Sequence, residues 1–252
     1  MKLSIITIAF NAESTIADAV QSVVNQVLPD HVELEYILVD GLSTDKTLEV
    51  IAPWRDQISM LISEPDSGLY DAMNKGIESA TGDFIGVLNS DDLYAHNEVL
   101  VRVVEQLTTT GADGLYGDLV YVDREDIQRV TRVWQSGAYQ KGAFLHGWMP
   151  PHPTFFARRD AFEKWGRFNL SLKSAADYEL MLRFVHKHDM TLTYLPEVMV
   201  RMRVGGISNA NAANRLRANR EDRRAWRMNG LQPRPWTLML KPLRKVGQFL
   251  RR

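Results

Sequence analysis

The sequence predicts an α/β protein: a Rossmann-like, mostly parallel sheet with helices on both faces, a small antiparallel region after it, and a basic helical C-terminal tail. Three observations carry this. Ile- and Val-rich runs alternate with helical apolar stripes through residue 110, the pattern of repeated strand-helix units. The connections are a few residues long, as such units require. Each apolar run also stops abruptly at polar residues, where open parallel sheets bind ligands.

Leu3 to Ala9 reads as a strand buried on both faces. Ile16, Val20, Val23, Val24 and Val27 form a helical stripe within 13–27, ended by Pro29-Asp30. Leu34 to Val39 is a second strand, and 44–54 a second helix with Ser43 as its N-cap. Ile58 to Ile62 is a third strand, and Leu69 to Ala80 a third helix ended by Thr81-Gly82. Asp83 to Leu88 is a fourth strand, and Asn97 to Thr109 a fourth helix. Beyond residue 110 the pattern changes. Gly114 to Val122 and Ile127 to Val133 suit an antiparallel pair around a turn at 123–126. A Gly- and Pro-containing loop then leads to His152; Ala175 to His186 is a helix, and 191–194 and 198–202 are two short strands. Asn209 to Asn229 is a basic helix. The division expected is 1–208 for the main domain, its halves meeting near 110, with 209–252 as an extension.

With 252 residues, 45% hydrophobic and 24% charged, the composition is that of an ordinary globular chain. The absence of cysteine excludes disulfide scaffolds, thiolate zinc sites and Cys nucleophiles. No stretch approaches the roughly 18 apolar residues of a membrane span. Met1 to Phe10 lacks a cleavage site and reads as a first strand rather than a signal peptide. The net charge of −1 hides an asymmetry, because 201–252 holds 14 Lys and Arg against 2 acidic residues.

The strand ends carry the chemistry. The first turn, FNAE, has neither G-x-G-x-x-G nor a P-loop, which disfavours a dinucleotide site and a P-loop NTPase. Asp40 ends YILVD, where a carboxylate accepts hydrogen bonds from a base or ribose, or simply terminates the strand. In Asn89-Ser90-Asp91-Asp92, two adjacent carboxylates repel one another. A hard divalent cation, Mn²⁺ or Mg²⁺, relieves that repulsion; the other reading is an acidic pair at the following helix start. Asp177 begins a helix, as a cap or as a general base on a rigid support.

Taken together, SIITIAFN, YILVDGLSTDKT and SEPDSGLYDAMNKGIESATGDFIGVLNSDD resemble the nucleotide-binding half of inverting family 2 glycosyltransferases of GT-A fold, especially bacterial exopolysaccharide, O-antigen and colanic-acid-type transferases. The likeness spans about residues 1 to 208. It implies that Phe10, Asn11 and Asp40 hold the base and ribose, and that Lys75 and Ser90 lie near the donor. It implies that Asp91 and Asp92 form the DxD-type motif, with Asp92 bridging the diphosphate through the cation. Many relatives carry Asp where this chain has Asn89. Asp177 matches the catalytic base, although Ala176 replaces the usual preceding Glu. His152 is either a ligand to metal, diphosphate or acceptor, or a packed loop histidine. Arg201, Arg203 and Ser208 flank a Gly-Gly pair, either as a loop closing over the diphosphate or as an edge strand and turn.

The expected reaction is in-line transfer of a sugar from a nucleotide-sugar donor, UDP-linked by first preference, to a saccharide acceptor on a lipid diphosphate. A catalytically silent binding protein of the same fold is the rival, kept open by Ala176 and Asn89. A nucleotidylyltransferase, which releases pyrophosphate, is a third reading. Six arginines of the basic helix, Arg215 to Arg227, precede an apolar and basic stretch from Trp236 to Arg252, and Pro242 predicts two short pieces there. This mixture suits an anionic membrane surface at the cytoplasmic face. Nucleic acid is disfavoured for want of a recognition module, and a homodimer contact is the structural alternative.

Overall fold

The computed structural model describes residues 1–205 and 212–246, with side chains for 1–205 and 219–244. Ser208 and the last tail residues, Phe249 to Arg252, lie outside the described residues, as do the side chains of Arg215 and Arg217.

One nine-stranded sheet runs in the order β3-β2-β1-β4-β8-β6-β9-β5, with β7 paired to β6. Its parallel part comprises β1 (Lys2–Ala9), β2 (Glu33–Asp40), β3 (Met60–Ser63) and β4 (Phe84–Asn89), joined through α1 (Ile16–Val24), α2 (Thr47–Ile51) and α3 (Leu69–Ser79). The strands alternate their side chains between two cores, as a period of two demands. Ile6 and Ile8 face one cluster with Met73, Phe144 and Tyr178. Leu3, Ile5 and Ala9 face the other with α1 and with α4 (Val99–Thr110).

The antiparallel region continues the same sheet. β6 (Gly114–Val122) pairs with β7 (Val130–Trp134) as the sequence predicts, and β8 (Phe156–Arg158) bridges β4 to β6. α5 (Arg159–Trp165) and α6 (Ala176–Met181) follow, and α6 runs into a π-helical turn, Leu182–Lys187.

Four expectations are corrected. A short strand β5 (Asp92–Tyr94) pairs with β9, and α4 begins only at Val99, so Asp91 and Asp92 are not helix caps. The two strands predicted after residue 190 are one, β9 (Leu192–Arg203). Pro196, which has no N–H for the ladder, falls where the β6 pairing steps from Leu195 to Val198, so the strand passes it through a bulge. Ser43 does not cap α2; its Oγ accepts the Asn11 N–H at 2.8 Å, and Asp45 accepts the Thr47 N–H instead. Finally, α8 (Thr237–Val246) runs through Pro242 rather than breaking there. Tertiary contacts hold it. Thr237 Oγ1 donates to the Leu145 carbonyl at 2.6 Å, and Arg244 Nε donates to that of His146 at 3.0 Å. Gly147, at φ +73°, lets the α8 backbone approach so closely that a Cβ there would overlap Lys241 N.

Glu35 stitches the start of β2 to β1 and to the turn before β4. It accepts from Ser4 Oγ at 2.5 Å and Thr81 N at 2.7 Å, and pairs with Lys2 at 3.0 Å. Burial opposes its ionisation, but the hydrogen bonds from Ser4 and Thr81, with Lys2, overcome this and hold the carboxyl at about 2. Stabilisation by a carboxyl depressed on folding is present above its unfolded value and disappears as pH falls through the folded one. Glu35→Ala is therefore expected to lower stability at neutral pH by about 1–3 kcal/mol, by stranding Ser4 and Thr81. In urea titrations, the gap to wild type should close as pH falls from 4.5 towards 2.

Candidate active site

The carboxyl ends of β1 to β4 lie in register, with Asp40 opposite Ala9 and Ser63, and Asn89 opposite Ile8. This row is the floor of a polar cleft. Asp40 is fully buried, and it accepts from Ser63 Oγ at 2.8 Å and from the Ser43 N–H. Beside it Asn11 sits at φ 49°, and its Oδ1 accepts the Thr44 N–H at 2.9 Å, which fixes the turn after β1. Phe10 stands out from this turn, 62% exposed, an aromatic face offered to solvent at the cleft.

Asp66, which sequence reasoning did not single out, joins this corner. Its Oδ1 accepts the Gly68 N–H at 2.8 Å at the start of α3, and a Cβ at Gly41 would overlap its Oδ2. A side chain at 41 would therefore require that carboxylate to move from its present position. Lys75 on α3 is engaged nearby: it donates to the Pro65 carbonyl at 2.6 Å and pairs with Glu64 at 2.9 Å.

At the end of β4 the Ser90 N–H donates to the Ile8 carbonyl. Asn89 Nδ2 donates to Asp92 Oδ2 at 3.0 Å, while Asn89 Oδ1 and Asp92 Oδ1 are buried without a hydrogen-bond partner. Burial raises the Asp92 carboxyl well above its ordinary range, and the neighbouring Asp91 charge adds to this. Burial also raises Asp91, against the pull of Arg124 and Arg203. Arg203 is not on a closing loop. It lies in β9, 4% exposed, donates to the Asp91 and Arg124 carbonyls, and pairs with Asp18 of α1. It braces the β4–β5 turn from below. Arg201 is likewise a β9 residue, and donates to the Ile127 carbonyl.

Asp177 occupies the first turn of α6, and Tyr70 Oη donates to its Oδ1 at 3.1 Å. Tyr70 is the second site residue the sequence did not reveal. Its own ionisation is suppressed by burial and by the Asp177 charge. Phe168 stacks on the Tyr70 ring and meets His152 edge-on, with ring centroids 5.5 Å apart in each pair. His152 is thus a neighbour of Asp177: burial lowers its pKa and the Asp177 charge opposes this. Ala176, fully buried, belongs to the apolar core.

α6 is also clamped from behind by the tail. Trp226 Nε1 of α7 (Ala212–Met228) donates to Tyr178 Oη at 2.9 Å, and Asn229 Nδ2 donates to Glu179 at 2.8 Å. Glu179 in turn pairs with Arg183 at 2.9 Å.

This chain belongs to the Glycosyl transferase family 2, whose profile matches residues 4–166. It is 30% identical over 211 residues to a PGL/p-HBAD biosynthesis glycosyltransferase of Mycobacterium bovis, a match covering 82% of this chain and 78% of the relative. Among solved structures it is similar to S. aureus TarS 1–349 in complex with UDP-GlcNAc, with TM-score 0.70 and 20% identity over 91% of this chain and 65% of that one. Against the longer TarS chain it spans 37% of the length. It is also similar to the mannosyltransferase PcManGT from Pyrobaculum calidifontis in complex with GDP-Man and Mn²⁺, with TM-score 0.66 and 18% identity over 94% of this chain and 67% of that one. The fold is accordingly GT-A, and the protein is a glycosyltransferase. Among the described residues, no helix is long and apolar enough to cross a membrane.

The Tyr70–Asp177 bond yields a test. Tyr70→Phe should keep the fold and the affinity for nucleotide while lowering turnover by about 10- to 100-fold, the scale of a misplaced reacting group. Transfer kinetics and a binding titration, read together, check this.

Proposed function

We propose that this protein transfers a sugar from a UDP-linked donor to a hydroxyl of a lipid-diphosphate-linked saccharide, with inversion at the anomeric carbon and with help from a divalent cation. The observation that carries the reading is the pair of unpartnered buried oxygens, Asn89 Oδ1 and Asp92 Oδ1, at the strand end aligned with Asp40. Oxygens left without partners in a buried site are costly unless something occupies them. An amide oxygen and one or two carboxylates are the hard donor set that Mn²⁺ or Mg²⁺ takes together with substrate phosphates. The described residues hold no cluster of three His, Asp or Glu, so such an ion would depend on diphosphate oxygens to complete its shell. Asp92 and Asn89, with Asp91 beside them, would hold it. When bound, the ion offsets the negative charge that grows on the departing diphosphate.

The chain's own residues supply the rest. Phe10, Asn11 and Asp40 border the place for base and ribose, and Asp66 and Lys75 line the same side. Asp177, oriented by Tyr70, takes the proton from the acceptor hydroxyl. The freed oxygen pair forms the new bond to the anomeric carbon as the bond to the nucleoside diphosphate breaks. One displacement suffices, so no second nucleophile is required. His152, beside Asp177, fits the acceptor side better than the metal. Arg203 acts by bracing the Asp91 turn rather than by touching donor. The complexes of TarS with UDP-GlcNAc and of PcManGT with GDP-Man bracket the choice of base. A surface-polysaccharide role on the inner face of the membrane follows from the acceptor proposed.

Two measurements test this. In a thermal-shift panel of UDP, GDP, dTDP, CMP and NAD, one nucleoside diphosphate with Mn²⁺ should stabilise the fold by about 2.7 kcal/mol at 100 times its dissociation constant. Asp177→Asn should retain that shift and lose transfer by about 10²- to 10⁴-fold. A panel without any metal-dependent shift, or an Asp177→Asn variant with full turnover, would sink the proposal.

A further inference from the structure

α7 is a helix with two chemically opposed faces. Its inner face, where side chains are described from Asn219 onward, is engaged with the body of the protein. Ala225 and Trp226 are buried completely, and both of its acids are satisfied on the protein. Glu221 accepts the Lys173 and Ser174 N–H groups at 3.2 and 2.7 Å, and Asp222 accepts from Lys241 Nζ of α8 at 2.7 Å. Among the described side chains, the outer face carries arginines and no acid, with Asn219 and Met228 beside them. Arg220, Arg223 and Arg227, spaced so as to share one side of a helix, are exposed and make no ion pair or hydrogen bond among the described residues. Arg224, next to them, donates to Ser171.

α8 lies alongside and supplies the complement. Met239 and Leu243, one turn apart, are 68% and 60% exposed, and Trp236 at its start is 47% exposed. Between the helices runs an open groove of about 890 Å³, with Arg220, Arg223 and Arg227 on one wall and Leu238, Met239 and Leu243 on the other. Large exposed apolar side chains in a cluster mark an interaction surface. A wall of unpaired guanidinium groups facing an apolar wall fits a phosphate that carries a hydrocarbon chain: Arg takes phosphate in a fixed fork, and Met, Leu and Trp suit the headgroup–acyl boundary. Nucleic acid fits less well, since Trp236 is the one exposed aromatic of this face among the described residues, and Met239 and Leu243 beside it present aliphatic surface rather than a row of stacking platforms. A second copy of this chain would bring the same excess of Arg against itself.

We propose that the α7–α8 face is a docking surface for an anionic phospholipid membrane, with Arg220, Arg223 and Arg227 engaging headgroup phosphates while Trp236, Met239 and Leu243 enter the acyl boundary. This surface is argued independently of the donor site, and its test needs no catalysis. Because α7 also holds α6 through Trp226 and Asn229, docking would present the Asp177 end of the protein at a defined height above the bilayer.

The test is vesicle co-sedimentation of the full chain with pure phosphatidylcholine and with mixed phosphatidylcholine–phosphatidylglycerol vesicles. The protein is expected on the mixed vesicles and to leave them as salt shortens the screening length from about 8 to about 3 Å. Arg223→Gln with Arg227→Gln should weaken partition by about tenfold or more, at roughly a fivefold effect per cation. Met239→Ser with Leu243→Ser should also weaken it, and should leave a residue of binding that salt removes completely. Unchanged melting temperatures confirm that the inner face is intact. Equal binding to both vesicle types by wild type overturns the proposal without recourse to any variant. So does a preference for a short single-stranded RNA in direct competition, or a dimer in sedimentation that the Met239 and Leu243 substitutions dissolve.

Discussion

Two adjacent carboxylates, pressed into the turn between β4 and β5, set the terms for the rest of this protein. Asp92 is fully buried and Asp91 lies beside it, so each raises the cost of charging the other. A fold tolerates such a pair only when surrounding structure fixes it. Here Arg203 does so, reaching from β9 under the turn to the Asp91 carbonyl while paired with Asp18 on α1. β5 exists to close this arrangement, as three residues hydrogen-bonded along β9. β5 and Arg203 thereby tie the end of β4 to β9 at this pair of carboxylates.

The opposite side of the cleft follows a different logic. Asp177 is placed by packing rather than by charge. α6 enters a core of aromatic and aliphatic side chains, Tyr178 and Ala176 among them, and is held from behind by Trp226. Tyr70 comes from α3, so one element addresses both the Asp66–Lys75 corner and Asp177.

The parallel half of the fold was legible because strands buried on both faces leave uninterrupted apolar runs, and Asp40 and Asn89 mark where those runs stop. Strands of three residues leave no such trace, so β5 and β8 were missed, and with them the reason that Asp92 is not a helix cap. The two short strands expected after residue 190 are one because a bulge carries β9 past Pro196. The acids of the candidate site, Asp40, Asp91, Asp92 and Asp177, stand out in sequence by their positions at strand and helix ends. Their partners do not: Tyr70 and Asp177 stand 107 residues apart, and Arg203 and Asp18 stand 185 apart. For Arg203 the sequence leaves a loop closing over phosphate and a strand followed by a glycine turn equally open, because its neighbouring glycines are visible there and its burial is not; β9 decides for the strand. In the tail, basic character was plain, but the placing of the α7 acids inward and of Arg220, Arg223 and Arg227 outward depends on where α6 and α8 lie.

The central claim is that the Asn89–Asp92 pair is held at a cost which a cation with a nucleoside diphosphate relieves. A carboxyl raised on folding destabilises the fold above its unfolded pKa. The most direct measurement is therefore the melting of wild type and Asp92→Asn at neutral pH, each with and without Mn²⁺ and UDP. The account predicts that the variant alone melts higher than wild type alone, and that the ligands stabilise wild type but not the variant. A variant that melts lower when alone, or gains as much as wild type from the ligands, would contradict it.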